Sequence, residues 1–176
     1  MPASWCSELA IPLAVLLQAR QIRPMRLIPI LLALSLLATP AHAQAGWWVQ
    51  DNPHQGYTFA VPPGFDGAGE SGNLSRFFFN RAQLSAWSAA ASRFETEAEA
   101  QLASDLADGW GIASRSTTAT WASWSATKPG RVMHQHMIAL CSGTGYAALR
   151  IEYAQVQRPE IDPLIAPLLA SLQPMC

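Results

Sequence analysis

Two short turns decide most of the architecture. "SRSTTATWASWSAT" (114–127) runs into Lys128-Pro129-Gly130, "RVMHQHMIALC" (131–141) runs into Ser142-Gly143-Thr144-Gly145, and "YAALRIEYAQV" (146–156) follows. Strands joined by connections this short are antiparallel, because a parallel return needs a crossover of a dozen or more residues. In the third run Leu149, Ile151 and Tyr153 face one way and Arg150 and Glu152 the other, which is the period of a strand. Upstream, "GYTFAVPPGF" (56–65) places Tyr57, Phe59 and Val61 on one side and breaks at Pro62-Pro63-Gly64. "LSRFFFN" (74–80) and "AQLSAWSAAAS" (82–92) predict a hairpin around Asn80-Arg81, and "GAGESGN" (67–73) reads as a loop.

The period then changes. Thr96-Glu97-Ala98-Glu99 fits a capping box, in which the Thr96 hydroxyl and the Glu99 carboxylate each satisfy an orphan amide. Behind it Ala98, Leu102, Leu106 and Trp110 recur every four residues, while Glu97, Gln101, Ser104 and Asp108 take another face. Gly109 or Gly111 ends this helix. A second stripe, Ile161, Leu164, Ile165, Leu168, Leu169 and Leu172, has the spacing of a helix lying on a sheet, with Asp162-Pro163 as its expected start. Pro167 marks a kink or a later start. Together these elements predict an α+β fold: an antiparallel sheet with a middle helix and a C-terminal helix packed on it.

Residues 25–43, "MRLIPILLALSLLATPAHA", have the parts of a cleaved secretory signal. Arg26 follows a possible start, an apolar run spans Leu27 to Ala38, and Ala41-His42-Ala43 is a small-x-small cleavage site. The run is about a dozen residues, short of the roughly 18 that a membrane span needs. Residues 1–24 read as an upstream extension or a long n-region, and Gln44 is the expected mature N-terminus. Residues 44–176 then suit a single domain, with no further membrane span. Cys141 and Cys176 are the cysteines left after cleavage, an even pair that predicts one disulfide in a secreted or periplasmic protein.

Charged residues make up 13% of the chain and the formal net charge is −1. An average soluble domain carries roughly 25%. No basic cluster appears, so nucleic acid is not an expected partner. Ser125-Ala126-Thr127-Lys128 matches the serine–lysine nucleophile pattern, but it runs into a Pro-Gly turn and lacks the companion motifs. Neither a nucleophile elbow nor a phosphate loop is present, and no cofactor is expected. His134 and His136 share a strand face and, with His54, form the candidate ligand set of an alternative metal-binding or enzymatic reading. Val132, Ile138 and Leu140 lie on that face too, which favours two rim histidines over a metal site. Trp121, Trp124 and Trp87 are the candidate binding residues; Trp121 and Trp124, three apart in a strand, are expected on opposite faces.

The entry segment "GYTFAVPPGF" resembles the Tyr-x-Phe-x-hydrophobic-Pro-x-Gly-hydrophobic strand that opens PsbP/Mog1-like and DcrB-like domains. The middle helix, long hairpins and final amphipathic helix fit the same plan over most of residues 56–173. That resemblance implies an α+β sandwich and an extracytoplasmic binding or assembly role without catalysis. The disulfide to Cys176 is not part of that plan and implies a divergent relative. The reading from sequence is therefore a secreted or periplasmic, non-catalytic module of the cell envelope that binds a protein or other envelope partner.

Overall fold

The computed structural model describes residues 46–176; the expected leader (25–43) and the segment before it (1–24) lie outside the described residues. Among these residues the order is β1 (Trp48–Asn52), β2 (Tyr57–Val61), β3 (Asp66–Ser71), β4 (Leu74–Phe79), β5 (Ala82–Ala90), α1 (Phe94–Ala107), β6 (Gly111–Thr117), β7 (Trp121–Lys128), β8 (Arg131–Ala139), β9 (Gly145–Ala154), α2 (Arg158–Ala170) and β10 (Gln173–Pro174). Seven strands form one sheet in the order β3-β4-β5-β9-β8-β7-β6, and β1-β2-β10 form a smaller one. All the pairings are antiparallel, and the fold is α+β with a middle and a C-terminal helix, as expected.

Both faces of the large sheet carry packed elements. On one, Leu84, Ala86, Val132, Leu149 and Ile151 pack with Ile161, Leu168 and Leu172 from α2 and its C-terminal end, and with Tyr57, Phe59 and Val61 from β2. On the other, Ala122, Trp124, Ala126, Met133, Met137 and Ala148 pack with Phe94, Ala98 and Leu102 of α1.

Several elements differ from their sequence reading, each for a local reason. The 67–73 loop is mostly β3: this glycine-rich edge strand pairs with β4 through an irregularity between Gly67 and Glu70, and backbone hydrogen bonds do the work that side chains do elsewhere. The 114–127 run is two strands, β6 and β7. Thr118 makes the turn between them, its hydroxyl accepting from the Thr120 and Trp121 amides, so no glycine or proline marks the place. Helix α1 begins at Phe94 with Arg93 as N-cap and no side-chain cap, because burial of Phe94 anchors its start. The anticipated capping box therefore lies inside the helix, where Glu99 pairs with Arg115 of β6 instead. Trp110 lies beyond the end of α1, and Leu106 is 54% exposed. Helix α2 begins at Arg158, near Pro159, and continues through Pro163 and Pro167. Strands β1 and β10 had no reading at all.

The chain end is fastened twice. Gln173 and Pro174 pair with Thr58 and Tyr57 of β2, and the Met175 amide donates to the Gly56 carbonyl. Cys176 is then bonded to Cys141, just beyond β8, across a sequence separation of 35. Closing such a loop removes unfolded-state entropy worth about 3–4 kcal/mol. Replacing Cys176 by Ser should lower unfolding free energy by about that amount in urea titrations, and reduction of the parent protein should give the same loss.

Candidate binding cleft

The second face of the large sheet is only partly covered. Helix α1 packs on the β6–β9 part of the sheet and leaves β4 and the neighbouring side of β5 open, and a cleft of about 380 Å³ runs between the helix and these two strands, lined by Arg76, Gln83, Trp87, Gln101, Arg150 and Glu152 among others. Strand register explains the convergence. Arg76 of β4 stands opposite Ser85 of β5, Ser85 opposite Arg150 of β9, Arg150 opposite Gln135 of β8, and Gln135 opposite Trp124 of β7. Directly opposed residues share a sheet face, so one cross-strand row carries the polar groups from the open cleft into the core beneath α1.

The inner end of that row is a buried network. Asp105 of α1 is 2% exposed; its Oδ2 accepts from the Trp124 indole Nε1 at 2.7 Å and its Oδ1 from Arg150 Nη2 at 2.6 Å. Arg150 Nε donates to Gln135 Oε1. The guanidinium also lies 3.7 Å from a Glu152 oxygen and 5.8 Å from the centre of the Trp87 ring. Arg150 therefore reaches the cleft as a braced group, 18% exposed, with its orientation fixed from beneath. The outer groups are looser. Gln83 donates to the Ser85 hydroxyl at 2.9 Å, and Gln101, one turn before Asp105 on α1, to the Tyr146 hydroxyl at 3.5 Å.

The candidate tryptophans separate. Trp87 lines the cleft; Trp124 is a core residue, 3% exposed, whose indole holds Asp105. Trp121 is 37% exposed and lies on the opposite face, with its ring centre 6.0 Å from that of His136. Cys141 and Cys176 bond to each other.

The histidines belong to the α2 side of the sheet. His134 Nε2 lies 3.1 Å from the Tyr153 hydroxyl, which donates to Asp162 Oδ1 of α2 at 2.5 Å. Burial, aided by that bond to Asp162, keeps the Tyr153 hydroxyl protonated far above its ordinary range. His54 sits exposed in the β1–β2 turn, and among the described residues no three His, Cys, Asp or Glu side chains are grouped to hold a metal ion. His134 and His136 serve to pack this face of β8, where burial pushes both imidazoles below their ordinary 6.5; for His134, Asp162 opposes that effect in part.

No protein-family model and no curated protein sequence matches this chain. Three-dimensional comparison does find matches. The solution structure of cyanobacterial PsbP (CyanoP) from Synechocystis sp. PCC 6803 superposes with a TM-score of 0.53 at 10% identity, over 79% of this chain and 98% of that one. The Ran-binding protein Mog1p of Saccharomyces cerevisiae gives 0.53 at 11% identity, over 72% of this chain and 94% of that one. The chain has the PsbP/Mog1-like fold. Within this fold the cleft is formed by features that its sequence carried in disguise. Asp105 falls outside the four-residue apolar repeat of α1, three residues after Leu102, and is the one buried carboxylate among the described residues. Arg150 and Glu152 alternate with apolar residues, which reads as a solvent face until the far side of the sheet is known to carry a helix.

Two outcomes follow. Removing one partner of a buried ion pair costs about 3–5 kcal/mol, so Asp105→Ala should lower unfolding free energy by that amount in chemical denaturation. The histidines set a pH dependence. Their folded-state values lie below 6.5, so the unfolded chain binds protons first on acidification. Stability should be full above pH 6.5 and fall as pH drops through the lowered folded values. Replacing both with Gln should flatten that fall when urea midpoints are compared across pH 7 to 5.

Proposed function

We propose that this chain is a non-catalytic binding module of the cell envelope, exported by the 25–43 segment and engaging its partner or ligand at the cleft between α1 and strands β4–β5. The observation that carries this reading is the braced Arg150 beside Trp87 at the cleft wall. A guanidinium whose orientation is set by a buried carboxylate, next to an aromatic side chain, is a preorganised recognition surface. Trp87 was singled out from sequence for this role. The polar side chains around it are tied to one another and to the backbone, and the described residues lining the cleft include no histidine or cysteine. The fold is shared with a protein whose name records a binding activity, Ran-binding Mog1p, which supports a binding role for the scaffold. The Cys141–Cys176 bond agrees with an oxidising compartment.

The test is made in native cells, with the protein produced from Met25. The account expects a mature mass beginning at Gln44 and cysteines that resist alkylation until reduced. A photo-cross-linking residue at position 87 should give a discrete adduct that is absent when the cross-linker replaces Val156, an 81% exposed position. Export with equal or no adducts at both positions would contradict binding at the cleft, and retention in the cytoplasm would contradict the envelope role.

A further inference from the structure

Resting on that reading of the cleft, we infer the chemical class of its ligand: the cleft is built for a hydroxyl-rich molecule, a pyranose sugar or short glycan. The evidence is which ends of its amide side chains are already committed. Asn73 Nδ2 donates to the Ser88 carbonyl, an oxygen that can only accept, so the Asn73 amide orientation is fixed and its Oδ1 is what it offers a ligand. Gln83 Nε2 donates to the Ser85 hydroxyl and Gln101 Nε2 to that of Tyr146, so each of these amides offers a ligand its Oε1 together with a second N–H. With Asn73 Oδ1 the lining therefore presents three amide oxygens, and Glu152 is engaged by Arg131 and Arg150. The charged donors offered to a ligand are the Arg76 guanidinium and the Nη1 side of Arg150, whose Nε and Nη2 are held by Gln135 and Asp105.

This pattern discriminates between ligand classes. A phosphate or carboxylate offers only acceptors and would leave the Asn73 oxygen unpaired while meeting the like charge of Glu152, at the cost of desolvating them. A hydroxyl group donates and accepts at once, so neighbouring hydroxyls on a sugar ring can give to an amide oxygen while taking from an arginine fork. The apolar side is supplied by Trp87 and Leu74, which stand directly opposite each other on β5 and β4 and can meet the C–H face of a ring. The volume of about 380 Å³ lies within the roughly 300–1,000 Å³ of small-molecule sites.

The experiment titrates the purified, exported, ¹⁵N-labelled protein with maltotetraose, cellotetraose and tetra-N-acetylchitotetraose, and in parallel with inorganic phosphate and an acidic peptide. The readouts are the Trp87 indole N–H signal, assigned by its loss in Trp87→Phe, and the side-chain amide signals of Asn73 and Gln83. At least one tetrasaccharide should shift these signals saturably. Asn73→Ala and Gln83→Ala should each weaken it about five- to tenfold, the equivalent of one hydrogen bond. Trp87→Ala should abolish the shift at Asn73 and Gln83, and Trp87→Phe, which keeps an aromatic ring, should retain it in weakened form. Shifts at these groups with phosphate or the acidic peptide, and none with the sugars, would overturn the inference in favour of an anion site. A silent panel alongside a specific adduct from position 87 in cells would overturn the sugar but leave the binding module standing. If both are silent, both readings fall.

Discussion

A carboxylate removed from water and held by an indole and a guanidinium organises the better-defined half of this molecule. Burying Asp105 without partners would be strongly unfavourable, because the ionised group loses its hydration. The fold compensates with two short hydrogen bonds from two different strands, Trp124 on β7 and Arg150 on β9. That requirement has a geometric consequence. Helix α1 must lie where Asp105 meets both donors, which places it on the β6–β9 part of the sheet and leaves β4 and the neighbouring side of β5 uncovered. The cleft is thus a by-product of how the helix is anchored. Its most rigid polar group, Arg150, belongs to the anchor itself.

The opposite face follows a different logic. There α2 and the β1-β2-β10 sheet bury a continuous set of large aliphatic and aromatic residues, and beside them His134, the buried Tyr153 and Asp162 form a short chain of hydrogen bonds. Non-directional apolar burial carries this side. The last strand and the bond between Cys176 and Cys141 hold the chain end against it. One face is therefore specified mainly by volume, the other by a directional network. A ligand site is more naturally found on the second, since directional groups were already needed there.

How much was legible in the sequence follows the same division. Strands β8 and β9, the β4–β5 hairpin and the amphipathic stripe of α2 could be read because glycine, proline and asparagine mark their turns and large apolar residues mark their buried sides. The turn between β6 and β7 stayed hidden because a threonine hydroxyl makes it. Strand β3 stayed hidden because an edge strand held by backbone bonds needs no β-forming side chains. The cleft was legible only through Trp87. Its other uncharged polar lining is asparagine, serine and glutamine, so Arg150 and Glu152 looked like ordinary solvent-facing positions. Asp105 fell outside the four-residue repeat that runs through Leu102 and Leu106, and a helix alone does not reveal which donors will meet it. Those donors come from strands about twenty and forty-five residues further along the chain, a separation that local patterns cannot report.

The dependence of the cleft on this anchor can be measured as a coupling. A double-mutant cycle with Asp105→Asn and Arg150→Met, read by urea unfolding, isolates the interaction between the two side chains from the cost of losing each. A pair locked beneath α1 should show a coupling of about 1.5–3 kcal/mol. Losses that simply add, within about 0.5 kcal/mol, would mean that Asp105 and Arg150 do not hold the helix to the sheet. The rigid wall on which the binding site depends would then have no physical basis.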